Sequence, residues 1–254
     1  MSDTPCRCCG SLTFRHRPVG RRLFSAGLAA TGLAATGLLA GHTVLSSGAA
    51  LAADPVAKTT LTPDQALKLL MDGNEQFSTD APFRSAPNRS RRVELARGQA
   101  PFCVLVGCSD SRVPPELLFG RGLGELFIIR NAGNTIDTAA LGSVEYGVGV
   151  LGCPLIVVLG HEACGAVVAA VDMVEKNAAF PGVIGEMIQP ILPAVLSVRG
   201  QPGDLLDNAV RANAKRVAAR LTTQSVIIQD AVRAGRLRVV AARYDLSDGD
   251  VAWL

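Results

Sequence analysis

The 254-residue chain is long enough for one or two globular domains, and 48% hydrophobic residues suffice to bury a core. Its formal net charge of +3 comes from the amino-terminal segment, because residues 54–254 alone carry 20 basic against 21 acidic side chains, a net charge of −1. The basic residues of that remainder are scattered, which argues against a nucleic-acid or membrane-surface partner.

Residues 1–53 have the pattern of an export signal rather than of a folded element. An arginine pair at residues 21–22 is followed by a weakly apolar stretch to about residue 40 and by a small-residue cleavage motif at residues 50–52. This combination resembles a twin-arginine signal. It predicts export to the periplasm or the exterior, with residues 54–254 as the mature domain.

An uncleaved membrane anchor is the alternative for this segment. Residues 23–41 are about long enough to cross a hydrocarbon core of roughly 30 Å. They are rich in glycine and threonine and poor in isoleucine and valine, which favours the cleaved signal. After cleavage we expect no contact with a membrane.

The first element of the mature chain is a helix predicted over residues 62–78. Thr62 is suited to the N-cap and Pro63 to the first helical position, and apolar residues recur at helical spacing. The proline- and arginine-containing stretch 80–92 is predicted to be an extended connection, and a short helix follows near residues 91–98.

Four short apolar runs and three helix-like segments follow. The runs are residues 102–106, 126–129, 155–159 and 237–242, and the helices are predicted over residues 138–151, 162–176 and 206–233. Strands that are apolar on both faces and alternate with helices indicate a buried parallel sheet. The predicted fold is therefore a single α/β domain, with a mainly parallel β-sheet flanked by helices. The proline-containing stretches 180–182 and 190–202 are predicted to be loops.

Polar segments come directly after two of these strands. CSDSR follows the first run, and GHEACG follows the third. Because ligands bind beyond the carboxyl ends of parallel strands, Cys108, His161 and Cys164 would converge if the two strands are neighbours. Two thiolates and one imidazole are a ligand set that zinc prefers, and three protein ligands leave a fourth position for water or substrate.

The cysteines also allow other interpretations. A lone H-x-x-C is weak evidence for a metal, and a cysteine in an apolar strand is most often a small core residue. Residues 54–254 keep four cysteines, which in an exported protein ordinarily suggest two disulfides. For Cys103 and Cys153 we leave open either buried core thiols or a disulfide.

Asp110 and Arg112 add an acid–base function to the first segment. Two residues apart, they can lie on one side of a turning segment, where the guanidinium fork holds the carboxylate by charge-assisted hydrogen bonds. The carboxylate could then accept a hydrogen bond from metal-bound water, or bind the metal itself in an inactive state. An ordinary surface salt bridge is the alternative.

Together the two segments resemble those of the β-class carbonic anhydrases. CSDSR at residues 108–112 is followed about fifty residues later by GHEACG at residues 160–165, and the similarity extends from about residue 61 to the C-terminus. It includes RNAGN at residues 130–134 and SVEYG at residues 143–147. The resemblance implies the β-carbonic anhydrase fold and the reversible hydration of carbon dioxide to bicarbonate and a proton.

The same resemblance implies roles for individual residues. It implies one Zn²⁺ per subunit, held by Cys108, His161 and Cys164, and a zinc-hydroxide mechanism assisted by an Asp110–Arg112 dyad. Asp110 would join the metal ligands in a closed state only. The resemblance also implies a homodimer or a dimer of dimers with active sites at the subunit interface.

Substrate contacts are implied in the same way. Gln99 matches a glutamine that hydrogen-bonds bicarbonate, Phe127 and Tyr146 match aromatic walls of the carbon dioxide pocket, and the Gly165 backbone N–H matches a substrate contact. From the residues alone, Gln99 could equally be a loop residue and the two aromatics plain core residues. Some members of the class carry tryptophan at the position of Leu105, as part of an inhibitory bicarbonate site. Leucine there favours the subgroup whose site is always open.

Two other functions stay open at this point. Relatives on this scaffold hydrolyse carbon disulfide or carbonyl sulfide with the same ligands, and access to the pocket separates them from enzymes that hydrate carbon dioxide. The second alternative is a non-catalytic zinc or thiol-redox protein. Residues 54–254 contain no C-x-x-C motif, which argues against redox chemistry, and the Asp110–Arg112 pair argues against a merely structural metal.

Overall fold

The apolar runs form a five-stranded β-sheet in the computed structural model, which describes residues 58–81 and 88–254. The strands are β1 (Cys103–Gly107), β2 (Leu126–Arg130), β3 (Leu155–His161), β4 (Arg238–Tyr244) and β5 (Val251–Trp253). Their order is β2-β1-β3-β4-β5, with β5 antiparallel to β4 and the other pairs parallel. The predicted α/β domain with a mainly parallel sheet is confirmed.

Helices cover both faces of the sheet. The described part of the chain contains α1 (Pro63–Ser78), α2 (Arg89–Leu95), α3 (Pro115–Leu118), α4 (Thr138–Glu145), α5 (Gly165–Lys176), α6 (Ile184–Ile188), α7 (Leu192–Val198), α8 (Leu205–Gln224) and α9 (Val226–Arg233). Shorter helical turns of other types lie at Ala132–Asn134, Tyr146–Val150 and Gln189–Ile191. No helix among the residues described is long and apolar enough to span a bilayer. The predicted export segment, residues 1–53, lies outside the described residues.

Alternate residues of β1 face two separate hydrophobic cores. Val104 and Val106 pack in a cluster with residues of α4, α8 and α9. Cys103 and Leu105 pack in a second cluster with residues of α1 and α3. Because a strand presents successive side chains to opposite faces, burial on both sides requires the continuous apolar run seen in the sequence.

Cys103 and Cys153 are buried free thiols in the structure, not a disulfide. Burial raises the pKa of Cys103 well above its ordinary value and raises that of Cys153 to about 12. The Cys153 Sγ donates to the carbonyl oxygen of Pro101 at 3.3 Å. Of the two alternatives left open by the sequence, the structure therefore has core thiols.

The first helix agrees with its prediction, whereas the second begins earlier. Thr62 and Gln65 form a reciprocal capping box at the start of α1. Helix α2 begins at Arg89, within the stretch predicted to be extended, because the Asn88 side chain accepts a hydrogen bond from the Arg91 N–H at 2.9 Å. Residues 82–87 of that stretch lie outside the described part.

The single helix predicted over residues 206–233 is wrong, since two helices occupy this range. Ser225 has extended backbone (φ −115°, ψ 118°) and ends α8. Its Oγ accepts a hydrogen bond from the Ile228 N–H at 3.2 Å and so begins α9. A serine side chain that caps a helix competes with continuation of the preceding one.

The loop predicted over residues 190–202 is also wrong, because α7 lies within it. Pro193 occupies the first turn of α7, where a missing N–H removes no intrahelical hydrogen bond. Two smaller differences concern helix ends. The helix predicted over 138–151 ends at Glu145 and continues as the turn Tyr146–Val150, and the one predicted from residue 162 begins at Gly165.

Helix α1 is joined to α3 and to β5 through a glycine and a buried asparagine. A Cβ atom on Gly73 would lie 1.9 Å from the Phe119 carbonyl oxygen, so only glycine permits this close approach. The Asn74 Nδ2 donates to the carbonyl oxygens of Leu118 and Gly249, and its Oδ1 accepts from the Val251 N–H at 2.8 Å. One side chain thus connects α1 to α3 and to the short strand β5.

We expect Asn74→Ala to lower the free energy of unfolding by about 3 kcal/mol, because it leaves several buried backbone groups without partners. Urea unfolding followed by circular dichroism, at one protein concentration, measures this change. Glu75→Ala, an exposed substitution on the same helix, serves as the control and should stay within about 0.5 kcal/mol of the wild type. Equal stability of the two variants would contradict the connecting role of Asn74.

Candidate active site

Cys108, His161 and Cys164 converge at the carboxyl ends of β1 and β3. The two strands are parallel neighbours, with Gly107 opposite Leu159, so their ends lie at the same edge of the sheet. Cys108 follows β1, His161 ends β3, and Cys164 immediately precedes α5. Their ligand atoms all lie within 4.8 Å of one another, and the two Sγ atoms are 3.9 Å apart. All three side chains are buried.

The turn between His161 and Cys164 is held by the neighbouring end of β4. The Glu162 N–H donates to the Tyr244 carbonyl oxygen at 2.9 Å, which extends the pairing of β3 with β4. The Glu162 carboxylate accepts from the Leu246 N–H at 3.0 Å. These two contacts fix the direction in which the chain leaves β3, and with it the positions of both ligands.

One nitrogen of the His161 ring is hydrogen-bonded, and the other has no hydrogen-bond partner. Its Nδ1 lies 2.8 Å from the Glu162 carbonyl oxygen. A carbonyl oxygen only accepts, so Nδ1 carries the proton and Nε2 presents a lone pair. Among the described residues, only His161 Nε2 and Asn134 Nδ2 are buried side-chain atoms without a hydrogen-bond partner. A buried acceptor of this kind costs free energy, and a cation at the ligand group would satisfy it.

The two thiols of the group are close enough to hydrogen-bond to each other, with either sulfur as the donor. This hydrogen bond is the largest cause that lowers the pKa of Cys108 and raises the pKa of Cys164. The Gly133 N–H also donates to the Cys108 Sγ at 3.3 Å. A divalent cation favours ionised thiols, so it would displace the protons of both sulfur atoms. The residues present therefore fit a bound metal ion.

Asp110 and Arg112 form a bidentate ion pair beside this group. The Arg112 Nε and Nη2 donate to the two carboxylate oxygens at 3.0 and 2.8 Å, and the Arg112 backbone N–H adds a third bond at 2.9 Å. The hydrogen bond from Arg112 holds the pKa of Asp110 well below its usual range. One carboxylate oxygen lies 3.9 Å from His161 Nε2. Asp110 is thus ionised at neutral pH and engaged by Arg112 rather than grouped with the three ligands.

Arg130 is a site residue that the sequence reasoning missed. Its Nε donates to the Cys108 carbonyl oxygen at 2.7 Å, and its Nη2 donates to the Asp110 carbonyl oxygen. The sequence does give a signal for this role. Arg130 is a charged residue that ends the apolar strand β2, and β2 pairs with β1, which the first polar segment follows. The guanidinium holds the backbone of both residues in place.

The residues predicted to contact substrate do not all meet within one chain. Phe127 and Tyr146 lie together, with ring centroids 6.1 Å apart and planes at 34°. Gly165, the first residue of α5, is exposed next to Cys164. Gln99 is exposed in an open groove of about 520 Å³, whose lining includes Leu95, Arg97 and Leu123 but none of the three ligand residues. The roles of these four residues stay predictions.

The amino-acid sequence matches a known family over most of the described domain. Residues 103–251 match the family described as carbonic anhydrase. The chain is 39% identical over 187 residues to carbonic anhydrase 2 of Mycobacterium tuberculosis. The matched region covers 74% of this chain and 90% of that protein. It is 38% identical over 189 residues to a carbonic anhydrase of Mycolicibacterium smegmatis, covering 74% and 92%.

Solved structures with the same fold belong to one class of that family. A tetrameric β-carbonic anhydrase from Sordaria macrospora superposes with a TM-score of 0.59 at 27% identity, covering 66% of this chain and 87% of that one. The Coccomyxa β-carbonic anhydrase in complex with acetazolamide gives 0.58 at 28% identity, covering 74% and 86%. The chain therefore belongs to the carbonic anhydrase family, and its structural relatives place it in the β class.

Proposed function

We propose that the protein catalyses the zinc-dependent, reversible hydration of carbon dioxide to bicarbonate and a proton. The observation that best supports this is the buried group of Cys108, His161 and Cys164 beside the Asp110–Arg112 ion pair. Two thiols, one imidazole and no further protein ligand in the group suit a catalytic zinc, which keeps one coordination position open. We propose one zinc ion per subunit.

Bound zinc would supply Lewis acidity, which lowers the pKa of water from about 15.7 toward neutrality. The residues of the chain orient this chemistry. Arg112 donates to both oxygens of Asp110 from one side and keeps the carboxylate ionised. Because an ionised carboxylate has no proton to donate, it can only accept a hydrogen bond from a reacting water. Asp110 thereby directs the water's remaining lone pair toward the substrate.

Carbon dioxide is apolar and needs an apolar surface beside the ligands. We propose that the Phe127 and Tyr146 rings, whose centroids lie 6.1 Å apart, form this surface in the assembled enzyme. The proton must then leave the site without an internal imidazole relay, because His161 is buried and residues 54–254 contain no other histidine. Buffer accepts it, directly or through Asp110.

We also propose that the working unit is a homodimer or a dimer of dimers. Strand β2 lies at the sheet edge with its apolar residues Leu126 to Ile129 only partly buried, and Tyr146 is 47% exposed. An apolar edge strand is suited to pairing with another chain. A second subunit at this edge would enclose the aromatic surface and bring a further group, such as its Gln99, toward the substrate.

The zinc assignment predicts about one zinc per chain in the purified protein. Cys108→Ser replaces a strong sulfur ligand, so we expect zinc to bind at least ~100-fold more weakly. Competition with a chromophoric chelator measures the affinity. The control is Cys153→Ser, which changes a buried cysteine outside the group and should keep full zinc. Loss of zinc in both variants, or in neither, would contradict the assignment.

The catalytic assignment predicts that Asp110→Asn keeps its zinc but lowers kcat/KM for carbon dioxide hydration by about 100-fold, since an amide is a weaker hydrogen-bond acceptor and can present its NH2 group to the water instead. Stopped-flow hydration assays, with a zinc count on the same samples, measure both quantities. The matched control is Asp230→Asn, which breaks another Asp–Arg ion pair remote from the ligands and should leave the rate unchanged.

An unchanged rate in zinc-loaded Asp110→Asn would instead support a non-catalytic zinc protein. The same assay with carbonyl sulfide or carbon disulfide tests the alternative substrates. Faster turnover of either than of carbon dioxide would overturn the substrate assignment.

We further propose that residues 1–53 direct export through the twin-arginine pathway and are then removed. The sequence pattern supports this, as does the low content of isoleucine and valine in residues 23–41. In a bacterial host that has the pathway, replacing the arginine pair at 21–22 with lysines should retain the protein in the cytoplasm. Lysines in place of Arg15 and Arg17 serve as the control and should leave export intact. An exported protein that keeps its amino terminus and sediments with membranes would show an anchor instead.

A further inference from the structure

A buried asparagine in the middle of α8 contacts the backbone beside the ligand group. Asn213 is 2% exposed, and the buried residues around it on the helix include Ala209, Val210 and Val217. Its Nδ2 donates to the Gly133 carbonyl oxygen at 2.9 Å. An amide in an apolar helix stripe is unfavourable unless it is hydrogen-bonded, so this contact accounts for the side chain's burial.

Gly133 is the residue whose N–H reaches the Cys108 sulfur, at 3.3 Å. It adopts the left-handed conformation (φ 67°, ψ 24°), and a Cβ atom there would lie 2.6 Å from the Ile191 Cδ1. Glycine is therefore required at this point. Because glycine also tolerates many other backbone conformations, its N–H direction needs an anchor from elsewhere. Asn213 supplies one by holding the carbonyl group on the other side of the same Cα.

We propose that Asn213 is a positioning residue for the metal centre: through Gly133, it aims a backbone N–H at the Cys108 sulfur. This inference rests on the proposed zinc site. A thiolate that accepts an N–H hydrogen bond donates less charge to a bound cation, so the bond tunes how strongly Cys108 neutralises the metal. Asn213 acts without touching either the metal or the substrate.

The hydrogen bond between Asn213 and Gly133 joins two elements that are far apart in the sequence. Asn213 lies 80 positions from Gly133 along the chain. Helix α8 packs against β3 and β4, and the turn that contains Gly133 packs against α5 and β1. Asn213 therefore connects the long helix to the loop that faces Cys108.

The test uses Asn213→Leu, which removes the donor at similar volume, in cobalt-substituted protein. We expect the sulfur-to-cobalt charge-transfer band to move to longer wavelength, because a thiolate without the N–H bond is more electron-rich. The matched control is Asn208→Leu. Asn208 is also on α8 and also donates its Nδ2 to a backbone carbonyl, that of Pro202, outside the ligand group.

A merely structural role predicts that both variants lose stability while the band stays in place, and that result would overturn the inference. Asn213→Ser, whose short hydroxyl cannot reach the Gly133 carbonyl, repeats the measurement if the leucine variant does not fold. The two proposals fail differently. A wild-type protein that takes up neither cobalt nor zinc overturns the metal site and this inference together. A wild-type thiolate band that both Asn213 substitutions leave unmoved overturns this inference alone.

Discussion

The parallel register of β1 and β3 is the constraint on which the ligand group depends. Because Gly107 lies opposite Leu159, the residues that follow β1 and those that end β3 emerge at the same height on one edge of the sheet. A shift of one residue would also turn each strand's side chains to the opposite core. Burial of Val104 and Val106 against one layer of helices, and of Cys103 and Leu105 against the other, resists such a shift. The packing of the core thus sets the spacing between sulfur and imidazole.

Side chains from several strands and loops form hydrogen bonds that hold the residues around the ligand group in place. Arg130 of β2 holds the carbonyl groups of Cys108 and Asp110, and Glu162 connects the end of β3 to the end of β4. Arg112 keeps the Asp110 carboxylate ionised and oriented. The chemistry is carried by few side chains, but their positions depend on four strands and the loops between them.

The sequence predicted the elements whose signals are local and repeated. Apolar runs buried on both faces predicted the parallel strands, and the Thr62–Pro63 pair predicted the start of α1. The strand-end rule predicted that Cys108, His161 and Cys164 converge if β1 and β3 are neighbours, and the structure pairs these two strands. The errors arose where one residue decides between two local structures. Ser225 both ends one helix and caps the next, and Pro193 lies in the first turn of a helix, although prolines in this stretch had indicated a loop.

The sequence did not predict the hydrogen bonds between a side chain and a backbone carbonyl far away in the chain, for a different reason. Arg130 and Asn213 donate hydrogen bonds to backbone carbonyl groups. Because every residue has a carbonyl group, the residue type of the partner does not indicate that the contact exists. The three-residue strand β5 escaped because so short a run has no readable periodicity.

The burial of Cys103 and Cys153 also determines how reactive their sulfur atoms are. Oxidants and disulfide exchange attack the thiolate, and a raised pKa leaves almost none of it at neutral pH. The other two cysteines of the described domain, Cys108 and Cys164, lie together at one edge of the sheet, in the proposed zinc site. The interior thiols are protected by the same close packing that keeps the strands in register.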